Sequence, residues 1–179
     1  MLTTDNTVLL VVDVQGKLAQ LMPDKETLFA NIQRMIRGAL ALSVPILWVE
    51  QNPAKLGPTI VEIAELLPRQ EPISKTSFSC AGNAGFIAAL EGLRRKQVLV
   101  VGIEAHVCVY QTAVDLSGMG YAVEVVEDAV GSRLASNKSV GVRRMMSMNV
   151  ALTSTEMALF ELLRDSDHPA FRDVQASFK

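Results

Sequence analysis

Three side chains that together carry the chemistry of a nucleophilic hydrolase each come after an apolar, strand-like run. Asp13 ends the first such run, Lys75 follows a later one, and Cys108 comes shortly after a third. A thiol attacks carbonyl carbons, a carboxylate accepts the thiol proton, and an ammonium group stabilises the charges that form. Taken singly, these residues also have ordinary roles, as a turn residue, a solvated cation and a small buried side chain. Their chemistry therefore depends on whether the fold brings them together.

Cys108 lies where a strand over residues 98–102 gives way to a helix predicted to begin near residue 107. Backbone N–H groups and the positive end of the helix dipole favour a thiolate at such a position, which predicts a lowered pKa for this thiol. The N–H groups of segment 104–108 are also suited to bind the oxyanion that forms when a carbonyl is attacked. Cys108 is therefore a candidate nucleophile, provided that the rest of the chain supplies a base and a cation.

Strand-like and helix-like segments alternate along the chain. The predicted strands are residues 8–13, 45–50, 72–75, 98–102, 121–126 and 150–153, and the predicted helices are 25–42, 59–67, 83–93, 107–118, 137–148 and 155–163. This alternation predicts a three-layer, doubly wound α/β fold, with a mainly parallel six-stranded sheet between two layers of helices. We expect one domain over residues 1–179, ending in a polar tail. Ligands of such sheets bind at the carboxyl ends of the strands, near Asp13, Lys75 and Cys108.

The composition argues against several other classes of protein. The chain has 179 residues, 49% of them hydrophobic, but no run of about 18 apolar residues, so no membrane partner is expected. Its net charge is −2 and it has no basic block, so no nucleic-acid partner is expected. The two cysteines form no CxxC pair, and the N-terminus lacks the basic region of a signal peptide. These features predict a cytoplasmic protein with free thiols.

Four short motifs follow one another along the chain. They are D-x-Q at residues 13–15, K-x-x-F at 75–78, G-I-E-A-H-V-C-V at 102–109 and D-A-x-x-S at 128–132. With these motifs in this order, the sequence resembles the isochorismatase-like cysteine hydrolases over nearly its full length. The resemblance implies strand order 3-2-1-4-5-6 and a catalytic triad of Asp13, Lys75 and Cys108. It also implies a cis peptide bond between Ile103 and Glu104, which in this family turns backbone N–H groups toward the substrate.

The family that the sequence resembles contains several chemistries. Isochorismatases cleave a vinyl ether without needing the cysteine, whereas nicotinamidases and related amidases use it to cleave a C–N bond through a thioester. Cys108 favours the second group. Nicotinamidases also bind a metal through histidines near the end of the second strand, but residues 48–58 contain no histidine. We therefore expect neither a metal nor another cofactor, and this segment looks more like that of small isochorismatase-domain proteins whose substrates are mostly unassigned.

Four further residues are candidates for the substrate pocket: Gln15, Trp48, Phe78 and His106. Gln15 shares the turn after the first strand with Asp13, and it is expected to orient either that carboxylate or the turn. Phe78 fits a pocket wall and a plain core position equally well. His106 stands two positions before the cysteine, and residues two apart do not share a helix face, so its place is the pocket mouth.

These observations predict a metal-independent cysteine hydrolase that cleaves a small amide, or a related C–N substrate, through a thioester on Cys108. Two alternatives stay open: an isochorismatase-type vinyl-ether hydrolase, and a non-catalytic binding protein on the same fold. The expected partner is a small-molecule substrate. The resemblance further implies a homodimer or a larger homo-oligomer.

Overall fold

A parallel six-stranded sheet forms the centre of the protein. The computed structural model describes residues 1–178. The strands are β1 (Thr7–Val12), β2 (Ile46–Gln51), β3 (Ile73–Lys75), β4 (Gln97–Ile103), β5 (Ala122–Gly131) and β6 (Ala151–Thr153). Neighbouring strands run parallel, and the order across the sheet is β3-β2-β1-β4-β5-β6. This confirms the predicted fold class and strand order.

Helices follow most of the strands. They are α1 (Gly16–Gln20), α2 (Lys25–Ala41), α3 (Pro53–Leu56), α4 (Val61–Ala64), α5 (Ala84–Gly92), α6 (Tyr110–Gly118), α7 (Ala135–Ser147), α8 (Thr155–Leu163) and α9 (Phe171–Ala176). A short 3₁₀ turn (Cys80–Gly82) precedes α5, and a wide π turn (Ala105–Val109) joins β4 to α6. Within residues 1–178, none of the helices combines the length and the apolar character that crossing a membrane requires.

β1 lies at the centre of two hydrophobic cores, one on each face of the sheet. Leu9 and Val11 pack in the core that contains α2, α8 and α9. Val8, Leu10 and Val12 pack in the core that contains α5, α6 and α7. All six residues of β1 are buried, which explains why its sequence after Thr7 is an unbroken apolar run. The first polar side chains after this run therefore appear at the carboxyl edge of the sheet.

Some elements differ from those that the periodicity predicts. β5 continues to Gly131, five residues past the predicted strand end, because it resumes pairing with Gly102 and Ile103 of β4 after an irregularity. The polar tail contains α9, whose Val174 is buried against the core. The short helices α1 and α3 were not predicted, because four or five residues are too few to show a helical period.

Candidate active site

Asp13, Lys75 and Cys108 meet at the carboxyl edge of the sheet. Asp13 directly follows β1, Lys75 is the last residue of β3, and Cys108 lies in the π turn after β4. The Lys75 Nζ donates to Asp13 Oδ2 at 2.8 Å, and both side chains are buried. Asp13 and Cys108 line one cavity of about 280 Å³. The structure thus brings the three predicted residues together.

A close approach between β1 and β4 sets the positions of Asp13 and of the turn that carries Cys108. Gly102 pairs with Val12 and has a φ of +117°, and a Cβ at this glycine would lie 2.1 Å from the Val12 carbonyl oxygen. Only glycine fits there. Asp13 itself has a φ of +50°, in the left-handed region that few non-glycine residues adopt. The chain therefore turns sharply after β1 and leaves the Asp13 side chain at the cavity.

The ammonium group of Lys75 is held by four oxygen atoms. Besides Asp13 Oδ2, it donates to Gln51 Oε1 at 2.8 Å and to the carbonyl oxygens of Ser77 and Phe78 at 3.3 and 3.1 Å. Hydrogen bonds of this kind offset the cost of burying a charge. By contrast, Asp13 Oδ1 is buried and has no hydrogen-bond partner among the described residues. One carboxylate oxygen is therefore occupied, and the other is available to accept a proton.

The thiol of Cys108 is protonated in the resting protein. Burial raises its pKa and the negative charge of Asp13 raises it further, while Lys75 opposes both effects. The prediction of a lowered pKa for this thiol is therefore wrong. α6 begins at Tyr110 rather than near residue 107, so Cys108 precedes the helix, and at 7% exposure its burial has the largest effect on the pKa. Attack by this sulfur consequently needs a base.

Asp13 is the carboxylate placed to act as that base. Burial raises its pKa above the ordinary aspartate value, although the charge of Lys75 opposes this effect, as does the neighbouring Cys108 thiol to a smaller extent. A carboxylate with a raised pKa is a better proton acceptor once ionised. Lys75 keeps the ionised form accessible because it supplies a counter-charge at 2.8 Å.

The cavity beside Cys108 has mostly apolar walls with a few polar side chains. Its apolar lining consists of Leu18, Leu56, Phe78, Ile103 and Val107, and its other polar lining consists of Gln51, Glu104 and Arg133. Ile103 and Glu104 are joined by a cis peptide bond. Phe78 is 55% exposed, so it forms a cavity wall at the surface rather than part of the core.

Three residues predicted for the pocket lie elsewhere. Trp48 points to the opposite face of the sheet from Val49 and packs in the core on the α2 side, as the alternation of side chains along a strand requires. His106 points away from Cys108 toward α7: its Nδ1 lies 2.9 Å from Ser132 Oγ and its Nε2 lies 3.3 Å from Asn137 Nδ2. It lines a separate depression on the surface. Gln15 is fully buried and does not line the cavity.

Gln15 instead ties together two backbone segments beside the cavity. Its Oε1 accepts a hydrogen bond from the Gln51 N–H at 2.6 Å. Its Nε2 donates to the carbonyl oxygens of Gln51 and Gly57 at 3.2 and 2.7 Å. Because the Gln51 side chain binds Lys75, this buried amide holds the strand end that positions the ammonium group.

Replacing Gln15 with alanine is expected to lower the free energy of unfolding by about 1–3 kcal/mol, because it leaves buried backbone groups without partners. Denaturant unfolding measures this change. The control is Gln20→Ala, since Gln20 is exposed and accepts a single hydrogen bond from Lys25; its effect should stay within about 0.5 kcal/mol. Equal losses in the two variants would contradict this role for Gln15.

The sequence and fold of this chain match those of a known protein family. A model of the isochorismatase domain family matches residues 7–157. The chain belongs to the isochorismatase family. Isochorismatase domain-containing protein 2A of Mus musculus, for example, is 35% identical over 176 residues, which cover 98% of this chain and 84% of the mouse protein. The family membership confirms the resemblance carried by the four motifs.

Other isochorismatase-family relatives carry different names. The MAR1 ribonuclease of Caenorhabditis elegans has a TM-score of 0.92 and 36% identity, and the match covers 98% of this chain and 91% of the worm protein. The secreted isochorismatase effector Isc1 of Phytophthora sojae (strain P6497) is 34% identical over 178 residues, with 97% of this chain and 85% of the effector covered. The protein therefore has the isochorismatase-family hydrolase fold, while its substrate must be argued from its own site.

Several residues that line the cavity of this isochorismatase-family protein were not predicted from the sequence. Leu18 and Leu56 come from the short helices α1 and α3, whose sequences give no helical period. Arg133 follows the unpredicted extension of β5. Only Arg133 had a signal in the sequence, because it comes directly after the D-A-x-x-S motif.

A metal centre in this isochorismatase-family site would need several histidine, cysteine or carboxylate side chains close together. Across residues 1–178, no three histidine, cysteine, aspartate or glutamate side chains are grouped so that they would hold a metal ion. The predicted absence of a cofactor stays a prediction.

Proposed function

We propose that this isochorismatase-family protein is a metal-independent cysteine hydrolase that cleaves a small amide, or a related C–N substrate, through a thioester on Cys108. The observation that carries the proposal is the difference between the two oxygens of Asp13. Lys75 binds Oδ2 at 2.8 Å, whereas Oδ1 is buried without a hydrogen-bond partner among the described residues, on a side chain that lines the same cavity as Cys108. A buried polar atom without a partner is costly, and a catalytic role is one explanation for it.

In the first half-reaction, Asp13 Oδ1 accepts the thiol proton while the sulfur of Cys108 attacks the carbonyl carbon. The S–C bond forms, and the π electrons of the carbonyl move to its oxygen. Protonated Asp13 then gives its proton to the leaving nitrogen, the C–N bond breaks, and ammonia or an amine departs. The acyl group remains on the sulfur as a thioester.

In the second half-reaction, the ionised Asp13 accepts a proton from water, and the resulting hydroxide attacks the thioester carbonyl. The C–S bond breaks, the sulfur regains its proton from Asp13, and the carboxylic acid leaves. Lys75 holds the carboxylate in position throughout and offsets the negative charge that forms near it.

Backbone N–H groups of segment 104–108 are proposed to bind the oxyanion, because the first N–H groups of a helical turn have no partner within their own turn. The N–H of Val107 is not among them, since it donates to the Glu104 carbonyl oxygen at 3.0 Å. The same carbonyl also accepts the N–H of Val109 at 3.3 Å. These two bonds fix the turn that presents Cys108.

The pKa of Asp13 predicts how activity depends on pH. Asp13 must be ionised to act as a base, so kcat/KM falls as the pH drops through its pKa. Because burial raises that pKa, the midpoint of the fall should lie above the ordinary aspartate value of about 3.9. A pH series of kcat/KM on the intact enzyme measures the midpoint. A midpoint at or below that ordinary value would contradict the assignment of Asp13 as a buried base.

A substrate panel tests the proposed reaction class. Small primary amides are expected to release ammonia, and the panel also contains isochorismate and RNA. Isochorismate tests the vinyl-ether alternative, and RNA is included because the worm relative is described as a ribonuclease. Cleavage of isochorismate that survives loss of Cys108 would reverse the assignment. Binding without turnover across the panel would favour a non-catalytic binding protein.

We also propose that the protein is cytoplasmic and assembles as a homodimer or a larger homo-oligomer. The two free thiols support the location, and the family resemblance supports the assembly. Because the Phytophthora relative is described as secreted, cell fractionation is the appropriate check of location. Light scattering on the purified protein gives the number of subunits.

A further inference from the structure

All charged side chains that line the cavity beside Cys108 belong to ion pairs. Residues 1–178 contain two ion pairs, Asp13–Lys75 and Glu104–Arg133, and both contribute to this one cavity. The two pairs together carry no net charge, and Lys75, which does not itself line the cavity, is fully buried against Asp13. Sites that select a charged ligand present an unpaired counter-charge that binds it, whereas every charged side chain lining this cavity is paired within the protein.

The Glu104–Arg133 pair is tightly built. Glu104 Oε1 accepts from the Nε and the backbone N–H of Arg133 at 2.8 and 3.0 Å, and Oε2 accepts from Nη2 at 3.3 Å. Burial alone would raise the pKa of Glu104, but these hydrogen bonds and the charge of Arg133 lower it instead. Both partners are therefore charged at neutral pH, and the Nε and Nη2 groups of the guanidinium already bind a carboxylate.

We infer that this cavity selects an uncharged substrate: a small neutral amide whose acyl part is apolar. This inference deepens the proposed function and rests on it for the identity of the scissile bond. A carboxylate on the substrate would lose its water beside Asp13 and Glu104, while Lys75 and Arg133 are each held by a carboxylate of the protein. The apolar walls favour aliphatic or aromatic carbon, and about 280 Å³ suits a small molecule.

Two alkylating reagents of matched size test this inference without requiring turnover. Iodoacetamide is neutral and iodoacetate is anionic, and both transfer a two-carbon group to sulfur with loss of iodide. The rate of labelling at Cys108 is followed by peptide mass spectrometry and divided by the rate for glutathione under the same conditions. After this correction, iodoacetamide is expected to label Cys108 at least about tenfold faster than iodoacetate. The cations near the cavity are already paired with carboxylates, and those carboxylates repel the anionic reagent.

Two substitutions that replace a charged side chain with glutamine should change the ratio of the corrected labelling rates, iodoacetamide over iodoacetate, in opposite directions. Glu104→Gln retains an oxygen that accepts hydrogen bonds but leaves Arg133 without its counter-charge, so the preference for the neutral reagent should shrink several-fold. Arg133→Gln leaves Glu104 without its counter-charge, so the preference should grow. Arg133 is more than half exposed, so its replacement is expected to leave the fold intact. General damage to the cavity would shift both variants in the same direction.

Equal or faster corrected labelling by iodoacetate would overturn the inference. Failure of iodoacetamide to label Cys108 would contradict both the inference and the proposed function, because a small neutral reagent would then either not enter the cavity or meet a thiol whose proton Asp13 does not accept. If the proposed function is wrong but the inference holds, Cys108 will still be labelled preferentially by the neutral reagent, but no amide will be hydrolysed. Turnover of anionic amides as fast as neutral ones would leave the hydrolase proposal standing and contradict the inferred substrate class.

Discussion

Replacing Cys108 with alanine is expected to reduce amide turnover by at least about 10⁴-fold, because the covalent route loses its nucleophile. The side chain is small and lines a cavity, so the substitution should leave the fold intact. The measurement is kcat on the best amide of the panel, with unfolding by denaturant as a check on folding. Turnover near that of the wild type would contradict a covalent mechanism.

The matched control is Cys80→Ala, because Cys80 is the other cysteine in the sequence and has a different environment. Cys80 is fully buried in the core, its N–H donates to Thr112 Oγ1 at 2.9 Å, and burial raises the pKa of its thiol to about 11. It does not line the cavity. Loss of this thiol should therefore leave kcat near the wild-type value, which separates the loss of the nucleophile from the loss of a buried sulfur atom.

The second large effect is expected for Asp13→Asn, which keeps the shape of the side chain but removes the base. kcat should fall by about 10²–10⁴-fold, which is the usual contribution of a positioned acid–base group. Stability should fall as well, by about 3–5 kcal/mol, because the Lys75 ammonium is left buried without its counter-charge. Steady-state kinetics and denaturant unfolding measure the two losses separately.

A double variant separates the catalytic role of Asp13 from its structural role. In Asp13→Asn combined with Lys75→Met, neither charge is left alone, so stability should return toward the wild-type value. Activity should stay low, because no carboxylate remains to accept the thiol proton. If activity recovers together with stability, then Asp13 contributes only as the ion-pair partner of Lys75.

The sequence was most informative where the pattern of apolar residues along a strand determines whether a side chain is buried or lies at the edge of the sheet. The unbroken apolar run of β1 predicts a strand buried on both faces, and the polar residues that follow such strands lie at one edge of the sheet. That reasoning placed Asp13, Lys75 and Cys108 at one edge of the sheet, and the family resemblance then implied that they form a triad. The predicted helix over residues 83–93 corresponds to α5, whose N-terminus is capped by Asn83, which accepts the Phe86 N–H at 2.9 Å.

The environment of a side chain inside a turn was not predictable in the same way. His106 and Cys108 are two positions apart, but the π turn directs one toward α7 and the other into the cavity. The pKa of Cys108 depends on its burial and on the charge of Asp13, neither of which a helix start reveals. Arg133 reaches the cavity because β5 continues after an irregularity in its pairing with β4, and no periodic pattern predicts that extension.

The most direct test of the central claim is to look for the acyl group on Cys108 during turnover. Wild-type protein is mixed with an amide substrate, quenched in acid, and analysed by intact mass and then by peptide mapping. The account predicts a mass increase equal to the amide minus ammonia, located on the peptide that contains Cys108 and absent from Cys108→Ala. Hydrolysis that proceeds at an undiminished rate in Cys108→Ala, with no adduct on the wild-type protein, would contradict it.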